Sequence, residues 1–186
     1  MRKLSKAVEN SAAGIFIADP DGWVEYANRK YLQMRGYALD EPMGFPSPLI
    51  QSDMIVSSSH GDAWETLRAG REWLGEIRTR QKNGEIFWGM LSLAVIHDED
   101  GRIVHIVGNL EDITERKKAE ETIHRLAFFD PLTTLPNRRS FAEKLPEILV
   151  HAGHKNELVA VFYLDLDHFK EVNDTLGHGM GDNLLQ

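Results

Sequence analysis

Three short turn sequences constrain this chain more than any other feature: Asp19-Pro20-Asp21-Gly22, Lys82-Asn83-Gly84 and Asp98-Glu99-Asp100-Gly101. In the first, Pro20 presets one turn angle and Gly22 tolerates a positive one, between an apolar run and the alternating Trp23, Val24, Glu25, Tyr26. In the second, Asn-Gly is the strongest short hairpin signal, and it separates Trp73 to Gln81 from Glu85 to Ile96. The third turns the chain into Arg102 to Leu110. Two strands, several short helices and three more strands follow from this pattern. It predicts an antiparallel sheet with helices clustered on one side, an α+β architecture.

Between these turns, Met1 to Asn10 reads as a short amphipathic helix with Leu4, Ala7 and Val8 at helical spacing. Asn28 is placed to cap a helix over Arg29 to Arg35, which Gly36 ends. Glu41 to Ser58 is Pro-rich and irregular, and a helix from Asp62 to Ala69 stops at Gly70. After Leu110 the character changes. "EDITERKKAEETIHRLAFFD" is a charged helix with Thr114 as its expected N-cap. Ile113, Glu120, Ile123, Leu126 and Ala127 form an imperfect stripe of about two heptads, which marks a linker with coiled-coil tendency. Past Asp130-Pro131 a turn leads into a helix interrupted by Pro146, so the reading is either one kinked helix or two short ones. Val159 to Leu164 is a continuous apolar run, expected to be a strand buried on both faces.

A net charge of -8 argues against a general nucleic-acid binder, since phosphate binding needs an excess of Lys and Arg. With no cysteine, the chain has no disulfide, no thiolate zinc site and no cysteine nucleophile. No apolar run approaches the ~20 residues that span a bilayer, and no secretory apolar region opens the chain. The expected location is cytoplasmic.

Two stretches carry family resemblance. Residues from Ala7 to Asp112 resemble a PAS sensor domain, through "GIFIADPDGWVEYAN", Gly36-Tyr37, "WETLRAGREWLGEIRTRQKNGEIFW" and the exit "VGNLEDITERKKAEE". From Asp130, "DPLTTLPNRRSF" and "DLDHFKEVNDTLGHGMGD" are similar to the start of a GGDEF domain, the diguanylate cyclase family. The resemblances imply a PAS-fold sheet with flanking helices over residues 1–112, a helical signalling linker over 113–129 and the truncated start of an α/β GGDEF domain over 130–186. The linker would begin with Asp112, Thr114 and Arg116.

By the GGDEF pattern, Asp165 and the carbonyl of Leu166 would bind Mg2+. His168, Phe169 and Lys170 would offer backbone N–H groups and a helix N-terminus to the triphosphate of GTP. Asn173 and Asp182 would pair with guanine. Hard carboxylate oxygen at a strand end suits Mg2+ held against phosphates. Asp167, Asp130, Arg138 and Arg139 are read as organising turns. The Gly-Gly-Asp/Glu-Glu-Phe turn that names the family, and would bring the second metal carboxylate, is not in this sequence. No complete catalytic set is therefore expected, and this chain is expected not to make cyclic di-GMP.

PAS domains hold varied ligands. His60 offers a haem reading, and Trp23, Trp73, Trp88, Phe16 and Phe87 a flavin-pocket reading. The plainer readings are a turn residue and ordinary core, leaving the sensor ligand unassigned. His97 and His105 read as a surface pair. The implied whole is a PAS sensor controlling a diguanylate cyclase, with homodimerisation through the sensor and the linker helix. The alternatives are a ligand-binding and dimerisation module with a degenerate, GTP-sensing GGDEF domain, and a composite that also carries a phosphodiesterase domain.

Overall fold

The structure is a computed structural model and describes residues 2–48, 54–55 and 63–186. The chain divides into two compact units, Met1–Lys117 and Lys118–Gln186. In the first, β1 (Gly14–Ala18), β2 (Val24–Ala27), β3 (Met54–Ile55), β4 (Trp73–Arg80), β5 (Ile86–His97) and β6 (Ile103–Asp112) form one sheet in the order β2-β1-β6-β5-β4-β3. Every pairing in it is antiparallel. Helices α1 (Arg2–Glu9), α2 (Arg29–Arg35) and α3 (Ala63–Arg68) accompany the sheet, and α4 (Thr114–Phe128) leaves it. The expected start of α3 at Asp62 falls outside the described residues, as does His60.

The two acidic turns are built alike. Asp19 Oδ1 accepts from the amides of Asp21 and Trp23, and Asp98 Oδ1 accepts from those of Asp100 and Arg102. Gly22 and Gly101 follow at φ 92° and 79°, a region where a side chain would strain the backbone. An aspartate that folds back on its own turn explains why both reversals close at the same place.

Alternation along the strands sends one set of side chains into the core: Phe16 and Ala18 from β1, Trp73 and Ile77 from β4, Phe87, Leu91 and Leu93 from β5, Ile106 and Leu110 from β6. Tyr31, Leu32 and Leu67 meet them from the helices. The sheet is crowded against Phe16, since a Cβ on Gly108 would fall 2.1 Å from that ring.

Asn28 does more than cap. Its Oδ1 accepts from the amide of Tyr31 (2.9 Å), as an N-cap should, and also from that of Ile15 on β1 (2.9 Å). Its Nδ2 donates to the carbonyls of Val8 (2.8 Å) and Ala13 (3.0 Å). One fully buried amide thus joins α1, β1 and α2 with all four of its hydrogen-bonding positions in use.

The second unit contains the rest of α4, then α5 (Arg138–Lys155), α6 (Phe169–Leu176) and α7 (His178–Leu185). Helix α5 runs through Pro146 as one element, capped by Asn137 at its start and by Asn156 in a left-handed conformation at its end. The expected buried strand over Val159 to Leu164 is not there. Those residues have no strand pairing, and Phe162, Tyr163 and Leu164 are almost wholly exposed. A strand exists only through its ladder, and no segment of this unit supplies the partner backbone. Among the described residues of the unit, Ala152 is the only buried hydrophobic side chain.

Replacing Asn28 with Ala should cost the first unit about 3 kcal/mol, because four backbone groups, one buried and three partly buried, lose their partner. Urea unfolding followed by tryptophan fluorescence measures it; a loss below about 1 kcal/mol would mean the amide is not the tie described.

Candidate functional site

Among the described residues, the buried polar atoms of the first unit that have no hydrogen-bond partner include Tyr31 Oη, Ser47 Oγ and Trp73 Nε1. Burial pushes the Tyr31 hydroxyl well above its ordinary pKa, so it stays protonated and able to donate. Buried groups of this kind ordinarily find partners, so they are the atoms a polar ligand or water would satisfy. Of the five aromatic residues read as ordinary core, with a flavin pocket as the alternative, Phe16, Trp73 and Phe87 are in the core. Trp23 is half exposed, and Trp88 points to the opposite face of the sheet. The strand period of two decides this: Phe87 faces the core, so Trp88 cannot. A cleft of about 660 Å³ lies beside the core, between Pro20 and Asp21, Trp64 and Arg68 of α3, and Val95 and Ile103. His97 and His105 lie on the neighbouring strands β5 and β6, and His105 meets Glu25 at 3.0 Å.

At the exit from the sheet, Asp112 Oδ1 accepts from the amide of Thr114 (2.9 Å). Thr114 is the first residue of α4 rather than its cap, and its Oγ1 accepts from the amide of Trp88 on β5 (3.0 Å). The Ile113 amide donates to the Trp88 carbonyl (2.9 Å), and the Ile113 side chain is buried. Arg116 reaches Glu76 on β4 at 3.2 Å, and Lys117 reaches the same carboxylate at 2.6 Å. All three linker residues expected from the sequence are therefore tied to the sheet. Glu76, Trp88 and Lys117 were not foreseen, because Glu76 meets partners 40 residues away and no local pattern announces that. The expected stripe on α4 is divided, with Ile113 buried while Ile123 and Leu126 are exposed.

In the second unit, Asp130 organises the turn before α5. Its Oδ1 accepts from the amides of Leu132 and Thr133 and from the Thr133 hydroxyl, and these bonds hold its carboxyl below the usual range. Arg139 pairs with Glu143 and lies 5.0 Å from the Phe128 ring centroid.

Asp165 and Leu166 lie in the exposed, irregular stretch ahead of α6. They offer one carboxylate and one carbonyl, the oxygen chemistry Mg2+ prefers, but only part of a coordination shell. Among the described residues no group of three or more His, Cys, Asp or Glu gathers as a metal site. His168 stands at the start of α6 in a left-handed conformation (φ 61°) with no side-chain cap; its ring meets Glu171 at 3.0 Å. Among the described residues, the first-turn amides of Phe169 and Lys170 have no acceptor, which leaves them able to bind an anion. Gly177 (φ 86°) then folds α7 back on α6. Asn173 of α6 packs so closely on Gly181 of α7 that a Cβ there would fall on its amide oxygen. Asp182 is the next residue, so this close approach brings the two expected guanine-binding residues to neighbouring places on the helix pair.

A family profile described as PAS domain matches residues 12–115, and one described as Diguanylate cyclase, GGDEF domain matches residues 127–186. The chain is 40% identical over 183 residues, 97% of its length, to the cyclic di-GMP phosphodiesterase PdeR of Escherichia coli, of which it covers 27%. It is 50% identical over 78 residues to the signaling protein YkoW of Bacillus subtilis, covering 41% of this chain and 10% of that protein. It is 28% identical over 167 residues to the Escherichia coli protein named "Probable diguanylate cyclase DgcE", 88% of this chain and 15% of that one. The chain thus spans about a quarter or less of the length of these relatives. Among solved structures it is similar to an RNA-binding light-oxygen-voltage receptor (TM-score 0.54, 26% identity, 68% of this chain, 36% of that one). It is also similar to a PAS domain from Colwellia psychrerythraea (TM-score 0.51, 26% identity, 62% and 98%).

The Asp130 turn carries a pH signature. A depressed carboxylate contributes stability that is present above its ordinary value near 4 and is lost as pH falls through the lower folded value. The amide shifts of Leu132 and Thr133 should titrate below about pH 4 in the native protein. In Asp130→Asn, which keeps the accepting oxygen, they should stay flat. An unchanged titration in the variant would place the effect elsewhere.

Proposed function

Because the chain belongs to the PAS domain family and continues into a diguanylate cyclase GGDEF domain, we propose that it is the sensor, linker and first nucleotide-binding segment of a cyclic di-GMP signalling protein. The sensor spans residues 1–112, the signalling linker 113–129 and the GGDEF segment 130–186. In the whole protein two GTP-loaded subunits would meet, each 3′-hydroxyl attacking the other's α-phosphate. The products are one cyclic di-GMP and two pyrophosphates. Asp165 and the Leu166 carbonyl would hold Mg2+, which supplies charge neutralisation at the phosphates. The amides of His168, Phe169 and Lys170 would take phosphate oxygens, and Asn173 and Asp182 the guanine edge. The observation that carries this reading is the α6–α7 pair, in which uncapped amides and the Asn173–Gly181 contact sit on one short hairpin of helices.

Homodimerisation through the sensor and α4 fits the chemistry, since each subunit brings half of a symmetric reaction. The exposed Ile123 and Leu126 on α4 are the apolar positions such a pairing would use. A second reading, favoured by the 40% identity to PdeR across nearly the whole chain, places this segment in a composite protein where the GGDEF domain senses GTP and serves a phosphodiesterase. For the sensor, a ligand bonded to Tyr31, Ser47 or Trp73 fits better than a flavin–cysteine adduct, which a chain without cysteine cannot form.

Three measurements test these statements. The 186-residue chain incubated with GTP and Mg2+ should yield no cyclic di-GMP, and chromatographic detection of product would overturn that. Gly181→Ala should weaken GTP binding about tenfold by pushing the Asn173 amide aside, with ATP binding unaffected; equal GTP affinity in the two proteins would remove Asn173 from the site. An absorbance spectrum of fresh protein should show neither a haem nor a flavin band, and either band would assign the ligand at once.

A further inference from the structure

The first turn of α4 presents a physical conflict. Arg116, Lys117 and Lys118 stand in succession at the end of the helix where the backbone dipole is positive and cations are disfavoured. The sheet answers with one carboxylate. Glu76 Oε1 takes Arg116 Nη2 at 3.2 Å, and Oε2 takes Lys117 Nζ at 2.6 Å. Glu76 and Lys117 side chains are only 27% and 26% exposed, so this pair is screened less than an open-surface one. Lys117 Nζ also lies 5.5 Å from the Trp88 ring centroid, which Arg78, directly opposite on β4, approaches to 5.9 Å. Other acids close in register or sequence are Glu111 of β6, paired with Met90 of β5, and Glu115, Glu120 and Glu121 on the helix itself.

We propose that Glu76 is the positioning residue for the exit helix, a carboxylate clip whose hold on Arg116 and Lys117 decides whether the first turn of α4 lies docked on the sheet or swings free. The clip is separable from the exit itself. Asp112, Ile113 and Thr114 are fixed by bonds to one another and to the backbone of Trp88, and none of those bonds involves Glu76. A change in the sheet that shifts β4 against β5 moves Glu76 relative to the Trp88 anchor, loading or releasing the helix. The electrostatics set the direction: removing the carboxylate takes from Arg116 and Lys117 the sheet anion that offsets Arg78 and the positive end of the helix dipole.

The assignment of α4 as a signal path rests on the proposed sensor–output reading, while the clip belongs to the first unit alone. The test is hydrogen exchange by mass spectrometry on the full 186-residue chain, without nucleotide. Glu76→Gln should speed exchange in peptides covering 116–121 by about tenfold, the product of two modest ion pairs, and leave β5 peptides unchanged. Salt on the order of 1 M, where screening reaches about 3 Å, should reproduce this in the native protein and add nothing in Glu76→Gln. The double exchange Glu76→Lys with Lys117→Glu should restore part of the protection. Unchanged exchange in Glu76→Gln, acceleration spread through the sheet, or no recovery on charge reversal would each overturn the clip. Because no cyclic di-GMP is read, failure here leaves the sensor–output proposal standing, and failure of that proposal leaves the clip standing.

Discussion

The side-chain amide of Asn28 ties together segments that would otherwise be held only by apolar contact. It accepts from β1 and α2 and donates to the end of α1 and the residue leading into β1. Its full satisfaction matters as much as its position, because a buried amide with idle positions would destabilise the place it occupies. From this point β1 is set against α2, Phe16 is set against Tyr31 at 4.9 Å, and the ring of Phe16 fills the space that Gly108 leaves on β6. The N-terminal helix gains a second hold from Glu9, which accepts from the Tyr26 hydroxyl; desolvation and that acidic partner push the Tyr26 pKa up to about 12.

The sheet has a working face on each side. Inward residues build the core and leave the unpaired polar atoms of Tyr31, Ser47 and Trp73 inside it. Outward residues on β4 and β5, chiefly Glu76, Arg78 and Trp88, receive the start of α4. Alternate residues of the same strands therefore serve both faces.

The second unit rests on different forces. Its turns are well specified by local bonds, at Asp130 before α5 and at Asn137 as its cap. Its packing is slight, with most apolar side chains of 158–166 and of α6 and α7 exposed. The residues proposed to hold the nucleotide lie on α6 and α7, which have no side-chain cap at their starts and are joined at Gly177, while Asp165 and Leu166 sit in backbone that no ladder holds.

Much of this was legible in the sequence wherever the cause is local. The glycine turns, the Asn28 helix start, the alternation on β4 and β5 and the motif residues around α6 each depend on neighbours within a few positions. The sequence alone therefore determined five of the six strands and their turns, while β3 (Met54–Ile55) falls in a stretch whose pattern reads as irregular. Tertiary structure decided the rest. It turned Asn28 from a cap into a junction, put Trp88 outside the core and joined Glu76 to Lys117 across 41 positions. It left Val159 to Leu164 unpaired despite an ideal strand pattern. The reason is the same in each case: burial, ladder pairing and charge pairing are properties of two segments meeting in space, and a pattern read along one of them specifies only what it is able to meet.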